Sequence, residues 1–323
     1  MSTFEHDLTK GNIWKQLVWF AVPFFISNLI QSLYSLIDLI ILGHFGGTNS
    51  ISAANIGGQV LVILTNLAAG LSGGGTVMLG NYLGSKRKDK INGAISTLLI
   101  TLTVMAAVFM VLLVILKQPL LRLLDTPEEA FSQAEQYLFI CTLGLLFIYG
   151  YNALSAIMRG LGDSRTPMIF VMIACVINII LDLVLVAGFH LGAGGAAAAT
   201  VFAQGCSMLF CIIYLKHHDF MFDFKPSSFH FIKEEFHTLL RTGLPLSIQM
   251  VGTNFSFLIL TTFINRAGGV AASAAAGIVN NFNGFAILPE AAISSAASAM
   301  IAQNMGKKDV KRSSKTMHCC LVL

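Results

Sequence analysis

Eight apolar runs, each long enough to cross a bilayer and separated by short polar breaks, limit what this chain can fold into more than any motif does. They fall at about 16–43, 52–80, 92–116, 136–158, 167–189, 193–215, 243–264 and 271–302, against the roughly 20 residues that a transmembrane helix needs. Within hydrocarbon a backbone must pair its own N–H and C=O groups, which leaves only helices and closed barrels. Runs of this length and apolarity read as transmembrane helices, so the expected fold is an all-α polytopic membrane protein. Only 11% of the 323 residues are charged, where a soluble domain carries about 25%. The opening MSTFEHDLTKGNIWKQL is neither Arg-rich nor followed by a small-residue cleavage site, so the first span itself is expected to direct insertion.

The cations mark two sides. Lys10 and Lys15, Lys86 to Lys90, Arg159 and Arg165, Lys216 to Arg241, and Lys307 to Lys315 occupy alternate breaks, which leaves only Lys117, Arg122 and Arg266 for the other side. By the positive-inside rule the N-terminus and the 303–318 segment are both expected in the cytoplasm, below the cell inner (plasma) membrane, and an even number of spans satisfies both. The outer break at 117–135 is acidic, with Asp125, Glu128 and Glu129. Trp14 and Trp19 beside Lys10 and Lys15 read as an interfacial anchor. Four cysteines lie inside spans, and Cys319 and Cys320 close the chain without metal or redox spacing. The histidines lie at span ends or in loops with no HExxH pattern, so a membrane-embedded enzyme lacks its machinery. No cofactor and no nucleic-acid partner is expected.

A weak internal repeat divides the chain. Shifted by 222 residues, Pro23 aligns with Pro245, Gly46-Gly47 with Gly268-Gly269, and the Gly84–Lys86 turn with Gly306–Lys308. Six spans lie between the copies, so both keep one orientation, the parallel-repeat arrangement of many transporters. Residues 1–225 are therefore expected to form a six-helix N-terminal lobe. Residues 226–323 would hold a linker helix and the first two helices of a C-terminal lobe. In that linker, SSFHFIKEEFHTLLRTG is expected to be a Ser-capped amphipathic helix.

Three acids, Asp38, Asp182 and Glu290, lie within spans, with no Lys or Arg at matching depth. A carboxylate left ionised in hydrocarbon costs several kcal/mol, so each must be neutralised by a proton or a bound cation, as a cation-coupled carrier requires. Asp38 ends a polar stripe of Ser27, Gln31, Tyr34 and Ser35 along the first span. Asn178 and Asp182, four apart, share a face of the fifth span, and Thr200 and Gln204 repeat that spacing on the sixth. Asp38, Asn178, Asp182 and Thr200 together would offer hard oxygen ligands suited to sodium or to a shared proton. Asn178 and Thr200 read equally well as interhelical hydrogen-bonding residues. Gln31, Tyr34, Gln59, Asn152, Gln204 and Glu290, the last following Pro289, are candidates for a substrate cavity. Pro23 has no amide hydrogen and gives the first span a weak point that can act as a hinge.

The segment MRGLGDSRTP at 158–167 completes a pattern. With the Pro23 to Asp38 stretch, the Asn178-x-x-x-Asp182 pair and Gln303-Asn304-Met305-Gly306, the chain resembles the multidrug and toxic compound extrusion family, its bacterial DinF-like branch most closely. The resemblance implies two six-helix lobes forming a V around a central cavity, working as a monomer in lipid. It implies that a proton or sodium gradient drives export of organic, often cationic, small molecules. It also implies about twelve helices, so the second lobe is expected to be truncated, with MHCCLVL beginning a ninth. The acid that the NorM-like branch carries in its seventh helix aligns with Thr253, which speaks against a second-lobe sodium site. A lipid or oligosaccharide flippase of the same superfamily is the nearest alternative; it would need cationic side chains in its cavity, and the spans offer none. A non-transporting membrane protein is a third reading.

Overall fold

The computed structural model describes residues 6–218 and 220–323, and of 258, 261, 262, 265–278 and 280–282 the backbone alone. Eight α-helices follow one another among the described residues: α1 (Ile13–Ile41), α2 (Gly47–Gly84), α3 (Lys88–Leu123), α4 (Glu128–Gly160), α5 (Arg165–Asp182), α6 (Gly192–His217), α7 (Lys233–Gly306) and α8 (Val310–Val322). Large apolar side chains cover the outside, among them Ile40, Val111, Ile115 and Val176. A soluble protein would not leave them in water, and lipid accepts them. Inside, α2, α3, α4 and α6 share the main core, built around Leu79, Ile95, Leu98, Leu138, Leu145 and Leu154.

The chain reverses where its local chemistry allows. α1 passes through a π-helical turn at Leu42–Gly46 and breaks at Gly47, whose φ of 77° and ψ of 176° suit glycine best. α5 likewise ends in a π-helical turn, Leu183–Gly188, before α6 begins. The Gly162 turn, at φ 94°, joins α4 to α5, and Asp163 caps α5 by accepting from the amides of Arg165 (3.0 Å) and Thr166 (3.1 Å).

The basic breaks gather at one end of the bundle. Gln303 accepts from the Leu8 amide (3.0 Å) and donates to the carbonyls of His6 (3.3 Å) and Gly160 (3.4 Å), tying three segments together. Nearby, Tyr82 donates to the buried carboxylate of Glu235 (2.6 Å), whose other oxygen faces Lys90 at 3.6 Å. Arg312 donates to the carbonyls of Gly11 (2.8 Å) and Lys10 (3.1 Å). At the opposite end Lys117 pairs with Glu135 (3.0 Å), and Ser50 donates to Gln133 (2.8 Å).

Both expected spans of the second repeat lie inside α7. A straight helix of 74 residues would be about 110 Å long at 1.5 Å per residue. Yet Gly243 lies against Gly74 and Gln303 against Gly84, only ten residues apart on α2. The chain therefore turns back between Ser247 and Ala292, and α7 consists of two arms. Their contacts obey the repeat. The first arm sets Ser247 and Gly243 on Gly70 and Gly74 of α2. At the same shift of 222 residues, Phe25 and Ala21 of α1 share one cluster with Ala292 and Ala296 of the second arm. At the centre a Cβ on Gly84 would overlap the Gln303 carbonyl, and one on Gly306 would overlap that of Asn81; these four residues exchange in pairs under the shift. A pseudo-two-fold axis thus runs between Gly84 and Gly306, as a parallel repeat requires.

One expectation needs correcting. No separate Ser-capped linker helix forms, because the Ser228 hydroxyl is engaged by Asp223 and residues 229–232 run extended along α3. There the His230 amide donates to Ser96 (2.6 Å) and that of Ile232 to Thr97 (3.1 Å). The expected helix becomes the start of α7, with Ile232 at its N-cap. The repeat matches at 268–269 and 275–276 concern side chains outside the described residues.

Candidate functional site

Helices α1, α2, α4, α5 and α6 enclose a cavity of about 510 Å³, the size of a drug-sized binding chamber. Gln31 and Tyr34 reach it from α1, Asn66 from α2, Asn152 from α4, Asn178 from α5 and Thr200 and Gln204 from α6. Its walls are fixed by buried polar side chains bonded to backbone. Tyr149 donates to the Leu64 carbonyl (2.7 Å), Tyr151 to that of Pro167 (2.6 Å) and Ser207 to that of Phe170 (3.1 Å).

Beside this cavity Asp38 of α1 and Asp182 of α5 meet. Asp38 lies four residues before the π-helical turn that ends α1, and Asp182 is the last residue of α5 before its own. Their carboxyl groups are in hydrogen-bond contact. Asp182 is 0% exposed, and the Oδ1 atom of each acid is buried without a donor from another residue. Two carboxylates in contact repel, whereas a carboxylic acid donating to a carboxylate attracts. Asn178, 2% exposed, completes the cluster. In the amide orientation that satisfies both its polar atoms it donates to Asp182 Oδ2 (3.2 Å) and accepts from the Thr200 backbone amide (3.3 Å). The opposite orientation sets its oxygen against the carboxylate. Tyr34 is near enough to both acids to feel their charge.

The structure brings Asp38, Asn178, Asp182 and Thr200 into one cluster and places Gln31, Tyr34, Asn152 and Gln204 on the cavity wall. Two expected cavity residues lie elsewhere. Gln59 is exposed on α2, because the wall contributed by that helix begins only at Leu61 and the polar stripe runs on past it. Glu290 is exposed on the second arm of α7, which packs on α1 outside this cavity. Pro23 is buried within a helix that continues through it, and the Ser27 hydroxyl donates to the Pro23 carbonyl (2.8 Å). Such a side-chain bond competes with the backbone ladder and favours bending at this point.

One cavity-lining side chain is misplaced by the sequence reading. Arg159 counts there as a cation of a polar break, so the spans appear empty of positive charge. In the structure it lines the cavity and lies over the Phe24 ring, 4.7 Å from its centroid. The signal was present: Asn152, Ser155 and Arg159, at i, i+3 and i+7, share one face of α4.

The MatE family model matches residues 23–184 and 245–323. The chain is 31% identical over 312 residues to the "Probable multidrug resistance protein YpnP" of Bacillus subtilis, covering 95% of this chain and 68% of that protein. It is 24% identical over 267 residues to the "Multidrug export protein MepA" of Staphylococcus aureus, covering 81% of this chain and 58% of that one. Among solved structures, a MOP superfamily transporter from Pyrococcus furiosus superposes with a TM-score of 0.91 at 24% identity, over 97% of this chain and 69% of its own. Structures described as MATE in the straight and in the bent conformation give 0.91 and 0.89, each at 24% identity over 97% of this chain and 70% of theirs.

Proposed function

Since the chain belongs to the MatE family, we propose that it is the ion-coupling part of an antiporter that exports organic, drug-like molecules in exchange for protons. The observation that carries this reading is the contact between the Asp38 and Asp182 carboxyls beside the chamber. A proton fits the arrangement better than sodium. A hard cation needs several oxygens at about 2.0–2.6 Å, but here the carboxyls contact each other directly and the Asn178 oxygen accepts from a backbone amide. The curated relatives named for multidrug resistance or export support a drug-like substrate class.

Loss of the shared proton leaves two anions side by side. Their repulsion and desolvation amount to several kcal/mol, comparable to the ~5.5 kcal/mol that takes a two-state equilibrium from 1:99 to 99:1. Asp38 sits on the helix that Pro23 weakens, so the change acts on how α1 packs against α5 and on the volume of the chamber. Solved relatives described as straight and bent support such a second state. In this reading residues 1–225 form the coupling lobe and 226–323 begin its counterpart.

Everted vesicles carrying the chain, alone and joined to the remaining length of the Bacillus relative, test the ion. Dye uptake is expected under an imposed proton gradient and not under a sodium gradient; uptake driven by sodium alone refutes proton coupling. The same reading puts the end that carries Lys10, Lys88 and Arg165 in the cytoplasm. An engineered cysteine at Lys88 is then expected to resist an impermeant thiol reagent added to intact cells and to react after lysis. Equal labelling in both reverses the topology.

A further inference from the structure

The cavity has two unlike poles. One is lined by Asn178 and Thr200 of the acid cluster. At the other, Arg159 presents its guanidinium to the cavity with no carboxylate within ion-pair distance among the described residues. Its contact is the face of Phe24, which holds the planar group in place but accepts none of its hydrogen bonds. One turn earlier on α4, Ser155 lines the same cavity, is 3% exposed, and has a hydroxyl with no partner. Buried hydroxyls are normally satisfied, and a guanidinium is a five-donor fork matched to carboxylate and phosphate oxygens. Neither group serves the acid cluster. Phe24 and Asp38 are fourteen residues apart on α1, about 21 Å at 1.5 Å per residue, so an anion held by Arg159 lies well away from the acids.

We propose that Arg159 and Ser155 form an anion subsite in this chamber, which receives a carboxylate or phosphate on an amphiphilic molecule whose apolar body lies along Val171, Ala174 and Ile148. The chamber thereby takes zwitterionic or acidic amphiphiles as well as organic cations. The guanidinium binds the oxygens in bidentate fashion, the serine donates a third hydrogen bond, and the Phe24 ring keeps the fork oriented. This rests on the chamber being the place where substrate binds.

Equilibrium binding to the purified chain in neutral detergent tests it without any ion gradient, using two dyes that share one scaffold. Rhodamine 110 carries a free carboxylate and rhodamine 123 carries it as a methyl ester. Wild type is expected to bind rhodamine 110 at least tenfold more tightly than rhodamine 123. Arg159→Gln is expected to lose that preference while its affinity for the ester changes less than about threefold, and Arg159→Lys to keep part of it. The preference of wild type is read with no variant, so a poorly folding Arg159→Gln does not stop the test. Equal binding of both dyes by wild type, or an undiminished preference in Arg159→Gln, overturns the subsite and leaves the chamber reading intact. Binding of neither dye overturns both. Excess short-chain phosphatidylglycerol separates the anion's sources. Displacement of rhodamine 110 from wild type assigns the subsite to a lipid phosphate, and no displacement assigns it to a solute carboxylate; Arg159 holds the anion in both.

Discussion

Asp38→Asn and Asp182→Asn, made separately, are each expected to lower gradient-driven dye export by about 100-fold or more while equilibrium dye binding changes little. The magnitude follows from what the substitution removes. An amide is nearly isosteric with a carboxylic acid and donates to the remaining carboxyl, so the cluster keeps its contact and its link to Asn178. It cannot release that hydrogen. The lobe is then held in the state that the shared proton favours, and a bias of about 3 kcal/mol or more lowers the other state at least 100-fold. Thr200→Ala removes only a hydroxyl near the pair and leaves the Thr200 backbone amide that Asn178 uses, so its effect is expected to be much smaller. Parallel measurements of counterflow and of export under a gradient separate the roles. If Asp38→Asn abolishes dye binding yet its residual transport remains fully coupled, Asp38 is a substrate ligand and the coupling role is wrong.

Gly84→Ala and Gly306→Ala are expected to destabilise the folded chain by about 2–4 kcal/mol each. At both positions the added methyl meets backbone rather than a movable side chain: the Gln303 carbonyl in one case, that of Asn81 in the other. Relief requires α2 and the second arm of α7 to separate, and that loosens the Gln303 bonds to Leu8, His6 and Gly160. The two losses are expected to be similar, because the sites are counterparts across the pseudo-two-fold axis. Thermal unfolding in detergent measures both. Gly58→Ala, where no atom lies within 4 Å of the new methyl, serves as the control. A melting temperature for Gly84→Ala equal to that of Gly58→Ala would remove the close crossing from the account.

Much of this protein was legible in the order of its residues. The length of the apolar runs dictated helices, because lipid offers the backbone no other partner. The alternation of basic breaks assigned segments to two ends, and the structure gathers the basic breaks at one of them. The repeat from Pro23 and Pro245 anticipated a contact pattern that repeats at a shift of 222 residues. Asn178 and Asp182 were paired by spacing alone, since residues four apart on a helix must be neighbours. Asp38 meets Asp182 only because α1 packs on α5, and no spacing encodes which helix will be the neighbour. The tertiary structure also left Gln59 and Glu290 outside the cavity and moved Arg159 into it. The physical reason is common to all three. In water an apolar stripe tells a helix which face to bury, but in a bilayer the outward face is as apolar as the inward one, so the pattern gives little rotational information. Small residues such as Gly74, Gly84 and Gly243 then decide how closely two backbones approach, and that approach determines which polar side chains share a chamber.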